Sequence, residues 1–426
     1  MPTLRFDPRS LIGPPFGTCP ACGKPEFGLL DVHRHSYTKR CRNCMNTETF
    51  RLPTLQKTVL YLDQFAISNM MKAINQYTKA NRLGRVDPFW AELFDRLDSL
   101  VKLQVLVCAD SVMHQEESAL APYYGALRRM YEQLSHGVSF DAPETIKRFQ
   151  LVDHASWWIT GAEGEFVPDL DRNSILSEPI DGWQDRFILT VEFPFDQEWI
   201  DQLRESRNKT SRELEHLFSE WQKDTEKTFD DWYWAEIRAF AEATLQQYFL
   251  YLRRFAQYRR GQDPADLIPT PSFLLVREIQ DAFVQAGIPR ERLHEKTLEY
   301  FRSETLASIP FLRIAALLWA SIAREAARGR RKPPTRGTVT DIEMISALLP
   351  YCDAMFVDRE CAGHLRNEPV KSRVGYPTRI FSLANKSEFL AYLDDLHNQI
   401  PRDHLATVRD VYGPDWPKPF SEMYET

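Results

Sequence analysis

The chain has 426 residues, 43% of them hydrophobic and 12% aromatic, with a formal net charge of −7. That content fills a sizeable core and excludes a disordered polymer, and no stretch approaches the ~18 apolar residues of a membrane span. The acidic balance gives no global nucleic-acid footprint, yet charge is uneven: residues 1–60 carry nine Lys/Arg against four Asp/Glu, and residues 323–338 six against one.

The opening Met1-Pro2-Thr3-Leu4-Arg5 lacks the apolar centre of a secretory signal, so a cytoplasmic location is expected. Cys19-Pro20-Ala21-Cys22 and Cys41-Arg42-Asn43-Cys44 follow, separated by eighteen residues. This is the spacing of a structural zinc site: each pair brings two thiolates to one ion, and four thiolates close the tetrahedron. A segment of this size builds little core, so the metal is expected to supply its folding energy. Residues 1–56 therefore read as a four-cysteine zinc ribbon. His33 and His35 between the pairs read as exposed strand residues. Lys39, Arg40 and Arg42, interleaved with Tyr37, offer a surface for phosphates and bases. Cys108, Cys352 and Cys361, scattered through apolar surroundings, read as buried small hydrophobes.

Thr58-Val59-Leu60-Tyr61-Leu62 is short, apolar and β-branched, as a buried parallel strand requires, and it ends in Asp63 where a helical pattern begins. Val105–Cys108 is a second strand, after which Asp110 or Ser111 caps a helix carrying His114, Glu116 and Glu117. His114 reads as a surface or hydrogen-bonded histidine. Between residues 140 and 305 the pattern becomes mainly helical, after a short candidate strand at Phe187–Val191. Trp221, Phe229, Trp232, Trp234, Ile237 and Phe240 recur near helical spacing, the mark of a packing stripe. Arg259-Arg260-Gly261 and Asp263-Pro264 punctuate the end of this run. The region reads as a helical insertion able to shape a substrate channel or bind a protein partner.

Ala327–Gly337 forms a basic loop whose Arg330, Arg331 and Lys332 are placed to hold a phosphate backbone. Thr340 is expected to cap the next helix, placing Asp341 in its first turn. Cys352–Val357 is a third buried strand closed by Asp358, with Asp353 either supporting the acidic site or merely leading the strand. Arg379–Leu383 and a helix over 387–396 complete an alternation of strands and helices, hence an α/β fold with a parallel sheet. Residues 401–426 are expected to form an irregular tail.

Ligands bind such sheets at the carboxyl ends of the strands. Asp63, Glu116 or Glu117, Asp341 and Asp358 are expected to converge there, where clustered carboxylates repel unless a cation neutralises them. Oxygen donors favour Mg²⁺ or Mn²⁺, ions that acidify water and stabilise in-line displacement at a phosphodiester.

This order of parts resembles the PIN-domain superfamily of ribonucleases. The resemblance rests on Leu60–Asp63, on the helix start at Ser111–Glu117, and most of all on Thr340-Asp341-Ile342 through Val357-Asp358-Arg359. It covers roughly 57–135 and 305–400. It implies a PIN-like (Rossmannoid) domain over 57–400, interrupted by the insertion at 140–305. It also implies that Asp63, Glu117, Asp341 and Asp358 take the four acidic metal positions, and that the activity is metal-dependent hydrolysis of RNA, more readily than DNA. The rival reading is a non-catalytic zinc-ribbon scaffold that binds nucleic acid or protein.

Overall fold

The computed structural model describes residues 7–121, 123–161, 163–186, 212–258, 268–420 and 423–424. The candidate strand Phe187–Val191 and the Arg259-Arg260-Gly261 and Asp263-Pro264 punctuation lie outside them, as does Met1–Arg5.

Four short strands come first: β1 (Gly13–Gly17), β2 (Phe27–His33), β3 (Ser36–Cys41) and β4 (Thr47–Arg51), antiparallel in sequential order. Their one face is anchored rather than free. Leu29 and Val32 pack in a cluster with Trp183 and with Val408, Val411 and Tyr412.

The second sheet is wholly parallel, with β5 (Thr58–Leu62) between β6 (Leu106–Val107) and β7 (Ala354–Phe356), and β8 (Arg379–Phe381) at the edge beyond β7. Parallel neighbours need long crossovers, and helices supply them here. The two-residue side-chain period of a strand decides which helices cover which face. Val59, Tyr61, Val107 and Met355 enter one core, shared with the helices Pro143–Ile159, Pro310–Ala327 and Arg336–Leu348. Leu60, Leu62, Leu106, Ala354 and Phe356 enter the other, with Gln64–Ile74, Phe89–Lys102, Tyr124–Ser135 and Lys386–Asn398. The result is a sheet covered by helices on both faces.

The helical middle is not a separate body. Trp221, Phe229, Trp232 and Ile237 are buried in the same core as Tyr61, with Trp234 and Phe240 packed against it, so the aromatic stripe is packing surface. The 401–426 segment also departs from expectation. Arg402–Tyr412 is helical, started by Pro401 and held by burial of Val408, Val411 and Tyr412. The described residues beyond it are irregular but tied down: Trp416 Nε1 donates to the Lys102 carbonyl at 3.0 Å, and the Tyr424 hydroxyl to that of Ala126 at 2.6 Å. Among the described residues no helix is long and apolar enough to cross a membrane.

β5 is where the topology reverses, because the chain leaves it towards β6 and later returns to β7 on its other side. Loops diverging from such a point open a crevice at the carboxyl edge. The acidic residues stand there.

Candidate metal centres

The two N-terminal cysteine pairs share one backbone plan. Gly23 and Met45, each four residues past the first cysteine of its pair, have positive φ of 70° and 63° and donate to the Cys19 and Cys41 carbonyls at 2.9 and 3.0 Å. Glycine adopts that conformation freely, whereas Met45 accepts it at a cost. These turns bring the sulfurs together: Cys19 to Cys44 is 3.6 Å, Cys22 to Cys41 is 3.7 Å, and all four lie within 4.8 Å of one another. A tetrahedral ion with Zn–S bonds of ~2.3 Å sets its sulfurs ~3.8 Å apart. The group is close enough to hold a metal ion and is compatible with zinc. Besides the cysteines, its apolar support is Phe27 and Phe50, so little else would order the turns. His33 and His35 are exposed and outside the group.

The cations expected to form a nucleic-acid surface here have work within the fold. Arg42 donates through Nε to the Ile12 carbonyl at 3.0 Å and stacks 4.5 Å from the Phe16 ring centre. Arg40 donates to Thr47 Oγ1 at 2.9 Å, and Lys39 reaches the Asp410 carbonyl at 3.4 Å.

At the parallel sheet, three of the acids follow strand ends. Asp63 caps Gln64–Ile74, accepting from the Phe65 N–H at 3.1 Å. Asp358 caps Arg359–Arg366, accepting from the Cys361 N–H at 2.6 Å. Ser111, rather than Asp110, caps Val112–Ala119 by accepting from the His114 N–H at 3.1 Å, and Glu117 lies two turns on. Asp341 arrives from elsewhere. Its helix starts at Arg336, not after Thr340, because Thr335 accepts from the Thr338 N–H and Thr338 returns the bond in a capping box. Asp341 thus sits in the second turn, where a helix-dipole role no longer accounts for it.

The carboxyls feel one another. Burial pushes Asp63 up to about 6; the Phe65 N–H opposes this, Glu117 and Asp358 add to it, and His114 acts against it. Burial also pushes Asp341 up to about 9, reinforced by Asp63, Asp358, Glu117 and Glu360. The charge of Glu117 acts on Asp63, on Asp341 and on Tyr131. Carboxylate oxygens of Asp341 and Asp358 and the sulfur of Cys361 lie within 4.8 Å of one another. Clustered carboxyls of this kind are eased either by protonation or by a cation.

One wall of the cluster is aromatic. His114 is 3% exposed, between the rings of Tyr61 and Tyr131 at centroid distances of 5.4 and 4.9 Å. It is not on the surface, and its Nε2, like the Tyr131 hydroxyl, has no hydrogen-bond partner. Its Nδ1 stands 3.6 Å from Asp110, whose other oxygen accepts from Arg128 at 2.6 Å.

Two expectations take other places. Asp353 precedes β7 and so lies at the amino edge of the sheet, opposite the cluster; it accepts from the Val59 N–H at 2.8 Å and from both terminal nitrogens of Arg172 at 2.6 Å. It leads the strand and does not support the acids. Arg330 is consumed by ion pairs with Glu325 at 3.2 Å and Glu360 at 2.7 Å, whereas Arg331 and Lys332 are exposed. Cys361 and Tyr131 were not singled out from sequence as site residues. Cys361 was legible in principle, since it lies three residues after Asp358 on one helix face.

Comparison with protein-family models, with curated proteins and with solved structures found no match to this chain.

Proposed function

We propose that this chain is a metal-dependent nuclease of the PIN-like kind, hydrolysing phosphodiester bonds in RNA in preference to DNA. The observation that carries the reading is that carboxylate oxygens of Asp341 and Asp358 lie within 4.8 Å of each other beside the carboxyl edge of a parallel sheet, with the charges of Asp63 and Glu117 acting on Asp341. Folding tolerates such a cost where function uses it. Bound Mg²⁺ or Mn²⁺ would acidify water and neutralise charge developing on a phosphodiester. Asp63 and Asp358, whose carboxyls are fixed by capping bonds, would hold that ion together with Glu117 and Asp341. Arg331 and Lys332, on the loop leading to the Asp341 helix, are available to hold the backbone.

The test is cleavage of labelled single-stranded RNA and DNA by the zinc-loaded protein with Mn²⁺, beside folded Asp341→Asn. RNA cleavage lost in the variant supports the reading. Undiminished cleavage in the variant would remove the acids from the chemistry.

A second reading, a non-catalytic scaffold in which the zinc ribbon binds nucleic acid or protein, is favoured by one observation. Ribbon and acidic cluster lie on different elements, and the ribbon packs on Trp183 and the Arg402–Tyr412 helix, away from the strand ends that carry the acids. It predicts polymer binding that persists in Asp341→Asn with no cleavage by either protein.

A further inference from the structure

Cys361 brings a donor of different chemistry to the acidic centre. It is the third residue of a helix capped by Asp358, is 1% exposed, and receives its backbone position from the 2.6 Å bond between its N–H and the Asp358 carboxylate. Its sulfur forms a triangle with one oxygen each of Asp341 and Asp358, all within 4.8 Å. An ion with bonds of ~2.0–2.3 Å spans such a triangle after small side-chain adjustments.

A second observation makes this more than a cysteine beside acids. The Tyr131 hydroxyl and the Nε2 of His114, on residues 2% and 3% exposed, lack hydrogen-bond partners. Burial and then the charges of Asp110, Glu117 and Asp63 act on that Tyr131 hydroxyl. Buried polar atoms left in this state are uncommon and mark a place where a further group, ion or solvent completes the bonding.

We propose that Cys361 is a ligand of the acidic centre, which therefore takes a transition metal such as Mn²⁺, Fe²⁺, Co²⁺ or Zn²⁺ in preference to Mg²⁺. This rests on the carboxylate metal site of the nuclease reading and narrows it. Mg²⁺ is a hard ion that seeks oxygen, whereas a thiolate favours softer ions. On binding, the S–H bond breaks, the sulfur–metal bond forms and the proton passes to solvent, with no change of oxidation state. The sequence position is apt: the capping bond that fixes Asp358 also fixes the residue carrying the thiol.

The experiment titrates Co²⁺ into protein whose four-cysteine group already holds zinc, with zinc content followed by elemental analysis. The expected result is uptake of cobalt with zinc retained and a near-ultraviolet sulfur-to-cobalt charge-transfer band. Cys361→Ser should lose that band and at least about tenfold in cobalt affinity, with Mg²⁺ affinity little changed. Cys361→Ala, compared by melting temperature, separates ligand loss from unfolding. Cobalt uptake without the band in wild type overturns the thiolate ligand and leaves the carboxylate site standing. A band that persists in Cys361→Ser overturns it too, assigning the sulfur elsewhere. No uptake of either Co²⁺ or Mg²⁺ beyond the zinc overturns the inference and the metal reading together.

Discussion

Asp341 and Asp358 bring carboxylate oxygens within 4.8 Å of each other from two successive α-helices, one from the second turn of Arg336–Leu348 and the other from the cap of Arg359–Arg366. Among the described residues neither forms an ion pair, and Arg330 is bound to Glu325 and Glu360. The arrangement stores repulsion at one edge of a sheet whose two faces are otherwise well packed. Stability and metal binding should therefore respond to pH in opposite senses.

Asp63 and Asp341 have folded-state values of about 6 and about 9 against an ordinary 3.8. A carboxyl raised on folding contributes stability that is complete below its unfolded value and is lost as pH rises through the folded one. In zinc-loaded protein free of Mg²⁺ and Mn²⁺, the part of the stability contributed by these two carboxyls should decline from about pH 4 to about pH 9. Asp341→Asn should flatten that decline and exceed wild type by ~1–3 kcal/mol at alkaline pH. Added Mn²⁺ should raise the wild-type melting temperature most where the acids are ionised. Thermal melts across pH check all three.

Asp353 gives a contrasting case. Asp353→Ala removes the paired contact with Arg172 and the acceptor for the Val59 N–H, and should cost ~1–2 kcal/mol, discounted because the pair is partly exposed. Being at the amino edge, the substitution should leave Mn²⁺ affinity unchanged. Denaturant unfolding with a parallel metal titration tests this; a metal affinity that falls with stability would bring Asp353 back to the site.

The basic loop divides by side chain. Arg331→Ala and Lys332→Ala should each weaken RNA binding and reduce its salt slope by ~1. Arg330→Ala should instead lower the melting temperature and leave the slope nearly intact, because its charge is spent on Glu325 and Glu360. Binding isotherms over a range of salt concentrations distinguish the two classes.

Much of this site was legible because buried parallel strands are written as short apolar runs. Thr58–Leu62 and Ala354–Val357 each stop at an aspartate, and strand ends are where such sheets bind ligands. Helix starts were harder. Pro333-Pro334 and Gly337 obscure the Thr335 cap, so Thr340 looked the better choice and Asp341 was placed a turn too early. Glu116 and Glu117 could not be separated, since helical residues turn ~100° apart and only tertiary packing decides which faces the acids. Cys361 reads as one more buried hydrophobe until the Asp358 cap shows which helix face it shares. The Arg402–Tyr412 helix hid behind the irregular composition that follows it, although Leu405, Val408 and Tyr412 keep helical spacing. His114 is placed by contacts from β5 and from Tyr124–Ser135, distant in sequence, and nothing local announces its burial.

The most direct test of the central claim, that these acids hold a divalent ion, is calorimetric titration of zinc-loaded protein with Mn²⁺. Wild type, Asp341→Asn, Glu117→Gln and Glu116→Gln would be compared at one pH. The account predicts binding by wild type and Glu116→Gln, and a loss of at least about tenfold in affinity for Asp341→Asn and Glu117→Gln. Absence of Mn²⁺ uptake by wild type, or equal affinity in all four proteins, would contradict it.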